Sequence, residues 1–130
     1  MNPSKQLVSD LEVSHKQIYQ VQVKVSDWVG NKSSECLSKA LVIKLSEGPE
    51  KALLSYKECT KPSADKALSF ADQVDEINSS LERISKTSLL LFKSTLTVAD
   101  IVPLEIEIKA LQRRLDSLQI EVLKEVEGAK

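Results

Sequence analysis

Glycine is nearly missing from this chain: Gly30, Gly48 and Gly128 are the only three in 130 residues. Their scatter excludes a phosphate-cradling loop, which needs clustered glycines, and argues against an all-β domain, which needs them at its turns. Aromatic residues make up 4% of the chain against 42% hydrophobic residues in total. Apolar burial must therefore come from Leu, Ile, Val and Ala, the residues of helix seams rather than of aromatic-rich sandwiches. No long hydrophobic run occurs. The longest, Leu89 to Phe92, ends at Lys93, far short of the roughly 20 residues that span a bilayer. The opening residues MNPSKQLVSDLE also lack the greasy segment of a signal peptide, so a soluble protein with no membrane insertion is expected. Charge of one sign is absent too. Eighteen basic residues face nineteen acidic ones for a net charge of −1, and the signs are interleaved, leaving no one-sided field to attract nucleic acid.

Catalytic and metal-binding residues are equally sparse. His15 is the only histidine. Glu12 and His15 have the Glu-x-x-His spacing of carboxylate-bridged metal pairs, but such a centre needs a second motif that this chain cannot supply. Cys36 and Cys59 are the only cysteines; they form neither a Cys-x-x-Cys metal pair nor a disulfide framework. They are expected as reduced thiols, which places the protein in the cytoplasm or nucleus. Acidic neighbours such as Asp72, Asp75 and Glu76, or Glu105 and Glu107, read as solvated helix faces. The Arg113-Arg114 doublet reads as a solvated flank able to pair with a neighbouring helix. No enzyme activity, cofactor or metal is expected, and no motif ties the chain to a family.

What the chain does contain is apolar residues recurring at spacings of three and four. The last stretch reads Ile101, Leu104, Ile108, Leu111, Leu115, Leu118, Val122, which keeps one side of an α-helix apolar for about three heptads. An earlier one reads Leu7, Leu11, Ser14, Ile18, Val21, Val25, Trp28, and another reads Ala67, Phe70, Val74, Ile77, Leu81, Ile84, Ser88. Residues 19–25 alternate as a half-buried strand would, but the helical spacing accounts for the whole segment and is preferred.

Breakers divide these seams into a single domain over residues 1–130, with long helices over 3–29, 62–97 and 101–127 and short ones over 34–46 and 49–60. Gly30-Asn31 should stop the first helix, Gly48-Pro49 the second, and Lys61-Pro62 should separate the third from the fourth. Leu37, Ala40, Leu41 and Leu45 are expected as the apolar residues of one short helix, and Ala52, Leu53, Tyr56 and Cys59 on the buried side of the next. Asp100 should cap the last helix, with Pro103 tolerated in its first turn. The expected fold is all-α, an elongated antiparallel helical bundle with coiled-coil-like heptad seams.

Some apolar residues fall beside the seams. Ile106, Ile120 and Leu123 in the last helix, and Leu89, Phe92 and Leu96 near the end of the fourth, would sit in water on a simple two-stranded coil. Trp28 ends its seam and is expected to cap the core, with partner anchoring as the alternative. These seven residues are the interface candidates. The expected function is that of a non-catalytic helical coiled-coil subunit or adaptor, binding other helical chains in a hetero-complex or homo-oligomer. The alternatives are a monomeric bundle holding an apolar ligand, and a chaperone holding a partner helix in a groove.

Overall fold

A computed structural model describes residues 3–91 and 97–128 as three helices: α1 (Pro3–Glu47), α2 (Pro49–Leu91) and α3 (Val98–Gly128). No strand occurs among the described residues, and residues 19–25 are helical. At 1.5 Å per residue α1 and α2 are each about 65 Å long and α3 about 45 Å.

Gly48 makes the first corner alone. Its N–H donates to the Lys44 carbonyl at 3.1 Å and its own carbonyl accepts from Ala52 N–H at 3.2 Å. It therefore closes α1 and opens α2, with Pro49 at the first helical position, where its missing donor costs nothing. The φ of Gly48 is +96°, a conformation that a side chain would strain. At the start of α3, Thr97 donates both its backbone N–H (3.1 Å) and its hydroxyl (2.9 Å) to the Asp100 carboxylate. Thr97 is thus the residue at the helix boundary, and Asp100 supports it from inside the first turn rather than acting as the cap itself. Pro103 consequently falls beyond the first turn.

The chain runs up α1, down α2 and up α3. Cross-helix pairs fix the register: Gln17 Nε2 donates to Asp116 Oδ1 at 3.1 Å, Arg114 to Glu76 Oε2 at 3.1 Å, and Lys66 lies 3.7 Å from Glu121. The buried residues of α3 are Ile101, Leu104, Ile108, Leu111, Leu115, Leu118 and Val122, the seam read from the sequence. From Leu104 to Val122 they pack against Leu7, Leu11, Ile18 and Val21 of α1 and Phe70, Val74, Ile77, Leu81 and Ile84 of α2 in one core. Ser14 is buried within this seam and donates its hydroxyl to the Asp10 carbonyl at 2.9 Å, so it carries no unpaired polar group into the core.

That core occupies only half the length of the hairpin. It includes no residue between Val25 of α1 and Phe70 of α2. The far end of α3, at Leu123 to Glu127, lies beside Lys24 to Glu35. Beyond this level α1 and α2 continue as a two-helix finger, residues 33–62, whose buried residues are Cys36, Ala40 and Ala52, with Ser63 at its base. Cys36 and Cys59 are joined by a disulfide with Cα atoms 5.7 Å apart, which corrects the expectation of reduced thiols. Antiparallel folding about Gly48 places residues twelve before it and eleven after it side by side, a pairing that sequence spacing alone does not reveal. Closing a loop of 23-residue separation removes unfolded-chain entropy worth about 3 kcal/mol.

Three expected breaks or burials are also corrected. Helix α1 runs through Gly30 and Asn31, because an interior glycine costs only about 1 kcal/mol and packing continues on both sides of it. Helix α2 runs through Pro62, where the ring removes one ladder bond; beside it Ser63 is buried and donates its hydroxyl to the Thr60 carbonyl at 3.0 Å. Leu53 is exposed rather than buried, as are Leu37, Leu41 and Leu45, since no third helix reaches the finger among the described residues. There the line of contact is taken by smaller residues, with Tyr56 only half-buried.

Trp28 sits at the junction of body and finger, 6% exposed, with its indole N–H buried and unpartnered. Trp28→Phe retains most of the ring burial and removes an orphaned donor that costs about 1–3 kcal/mol, so thermal unfolding should show a variant at least as stable as the parent. Gly48→Ala should destabilise by about 1–2 kcal/mol through its positive φ. Gly30→Ala, whose Cβ would meet nothing within 4 Å, should stabilise by up to about 1 kcal/mol. Paired denaturant melts of the two glycine variants check both signs.

Candidate interaction surfaces

The pairing of two long helices with one shorter helix leaves the α1/α2 pair covered on one side only. On the opposite side, where α3 contributes no residue, a groove of about 550 Å³ opens between the two helices. Val25 and Val29 line it from α1, and Ala64, Ala67, Leu68 and Ala71 from α2, with core residues Phe70 and Val74 at its floor. Asp75 is the one ionisable residue in the lining. The alanines matter because their short side chains leave the α2 backbone open to close approach by another helix. Leu68 projects beside them, 65% exposed, and is a large apolar side chain with nothing over it.

Beyond the groove, the finger leaves Leu37, Leu41 and Leu53 exposed. Val42, Leu45 and Leu54 are exposed around the rest of the finger, Leu45 at 91%.

The seven residues singled out from the sequence do not form one site. Trp28 is buried and lines a second cleft with Leu123 and Val126 that is rimmed by Lys24, Asp27, Lys32, Glu35 and Glu127. Leu123 is half-buried there. Ile106 and Ile120 are 64% and 55% exposed; they lie two heptads apart on the outer side of α3, with exposed Arg113 midway. Leu89 is 63% exposed near the end of α2. Phe92 and Leu96 lie outside the described residues.

Sequence reading missed the groove residues Leu68, Ala64 and Ala71. A signal was present: Ala64, Leu68 and Ala71 repeat the four-three spacing of the α2 seam, displaced to its edge. The stronger row of Phe70, Val74, Ile77 and Leu81 masks it, and alanines are easily assigned to surface.

Reactive chemistry does not converge anywhere in the described residues. No group of three or more His, Cys, Asp or Glu side chains close enough to hold a metal ion occurs among them. His15 is exposed, and both cysteine sulfurs are committed to the disulfide. Arg114 is taken up by Glu76 at 3.1 Å, an exposed pair worth at most about 1 kcal/mol. No described helix is long and apolar enough to cross a membrane. What the molecule presents is apolar relief on rigid helices, without a reactive centre beside it. No family model matches the sequence, and comparison with curated proteins and with solved structures finds no match to this chain.

Proposed function

We propose that this chain is a non-catalytic helical adaptor that receives a helix of another protein along the side of the α1/α2 pair that α3 leaves open. The observation that carries this reading is the apolar groove of Val25, Val29, Ala64, Leu68 and Ala71, which is continuous with the core through Phe70 and Val74. A helix laid there would complete a four-helix arrangement, with the small residues permitting close approach and Leu68 supplying an anchor. The groove is open along one side, which suits a helix better than a small apolar ligand, for which an enclosed cavity is needed. The exposed Ile106 and Ile120 of α3 are a lesser candidate, because Arg113 interrupts them. A chaperone that binds and releases a partner helix would use the same groove. The Cys36–Cys59 bond counts against a cytoplasmic setting and favours an oxidising one, where disulfides persist.

The test is site-specific photocrosslinking in the native cell extract, with the photoreactive residue at position 68 in one sample and at position 106 in another. Crosslinks from position 68 to a helical segment of another protein, lost when Ala71→Glu is added, are expected. Crosslinks concentrated at position 106, or absent from both positions, would overturn the placement. Crosslinks from position 68 to a second copy of this chain would replace the adaptor by a homo-oligomer. With the partner in hand, Leu68→Glu should weaken binding at least about tenfold, since burying such a side chain contributes about 1.5–3 kcal/mol. Because Leu68 is mostly exposed, the same substitution should leave the unfolding midpoint of the free chain nearly unchanged.

A further inference from the structure

The finger is held differently from the rest of the molecule, and this difference carries an inference independent of the proposed partner. In the body, three helices share one core of large side chains, with Phe70, Leu81, Ile108 and Leu115 completely buried. Between residues 33 and 62 there are only two helices, and no finger residue belongs to that core. The buried side chains there are Ala40, Ala52 and the disulfide-bonded Cys36. Ile43 and Tyr56 are half-buried, while Leu37, Leu41, Leu45, Leu53 and Leu54 face outward. Two alanines remove little apolar surface from water, and an isolated helical hairpin of this kind lacks the burial that stabilises helices in proteins. Ion pairs do not make up the difference: those found there are Lys32 with Glu35 at the base and Lys51 with Glu47 at the tip, both local in sequence, the second largely in solvent.

We infer that the Cys36–Cys59 bond is a redox latch on the finger. In the oxidised chain it holds α1 and α2 together between the Gly48 corner and the body. The outward leucines are then displayed on a rigid two-helix surface. A dithiol reductant opens the latch by exchange. Its two thiols become a disulfide, the Cys36–Cys59 S–S bond breaks, and the two electrons and two protons are left on Cys36 and Cys59 as thiols. The finger then separates and frays while the three-helix body stays folded, because none of the core residues depends on the bond. The exposed leucines of the finger, Leu37, Leu41 and Leu53 among them, are therefore held on paired helices under oxidising conditions and released from that pairing under reducing ones.

Hydrogen exchange read by mass spectrometry on the full chain, oxidised and after dithiothreitol, tests this directly. Titration of free thiols in the oxidised sample comes first; two free thiols there would mean that the bond does not form, and would overturn the proposal. With the bond present, reduction should accelerate exchange at least about tenfold within residues 33–62 and leave residues 7–25, 70–84 and 104–122 unchanged. Trp28 fluorescence should hold steady, since its ring packs on the body side of the junction. Acceleration throughout the chain would show that the bond supports the whole fold, and no acceleration anywhere would show that helix contacts alone hold the finger. Either result refutes the latch. The double variant Cys36→Ser, Cys59→Ser, measured without reductant, should reproduce the reduced pattern and so separates loss of the bond from other effects of dithiothreitol.

Discussion

Everything in this molecule depends on the insertion of one apolar row, Ile101 to Val122 of α3, into the crevice between α1 and α2. Two helices alone cannot enclose large side chains from all directions; a third can. Where α3 is present, Phe70, Leu81 and Ile84 disappear from solvent. Where it is absent, the same two helices meet through alanine and a disulfide, and their leucines point outward. The boundary between a conventional core and a covalently held hairpin is set by the reach of one helix, and Trp28 stands at that boundary.

The same geometry explains why the molecule has distinct sides. A helix pair has two crevices, and α3 fills one. The other is lined by smaller residues and carries one acidic group, Asp75, so it remains a groove rather than a second core. Its apolar lining is stable in water only at a cost that a docked helix would relieve, of the order of 1.5–3 kcal/mol for each large side chain covered. The proposed adaptor role follows from that imbalance, in a chain whose described residues bring no nucleophile, base and metal ligand set together.

The seams were legible in the sequence because apolar spacing of three and four, repeated over several turns, lines up on one side of a helix and on neither side of a strand. All seven residues of the last seam are buried, and the all-helical class follows from them. The breaks were less legible. Gly30 and Pro62 weigh against a helix locally by about 1 and 3 kcal/mol, but each is outweighed by packing that begins several residues away, which no local window contains. Gly48 does end a helix because its neighbour Pro49 and its own positive φ act together. The disulfide was illegible for a related reason: a separation of 23 means nothing until both helices are known to run unbroken to a corner midway between the cysteines. Once they do, the leucines read as the apolar residues of short helices become surface. Of the expected interface residues, Ile106, Ile120 and Leu89 are exposed as off-seam positions should be, whereas the groove was obscured by its alanines.

That three helices of a single chain close their own core is the condition on which the groove, the finger and the latch all rest. Light scattering after size exclusion, on the oxidised chain at low micromolar concentration, followed by a circular dichroism melt of the same peak, tests it most directly. The predicted result is a helical particle of 14.4 kDa that melts cooperatively. A particle of twice that mass or more that loses its helix on dilution, or a chain with little helix at all, would contradict it, because the row from Ile101 to Val122 would then need another polypeptide to bury it.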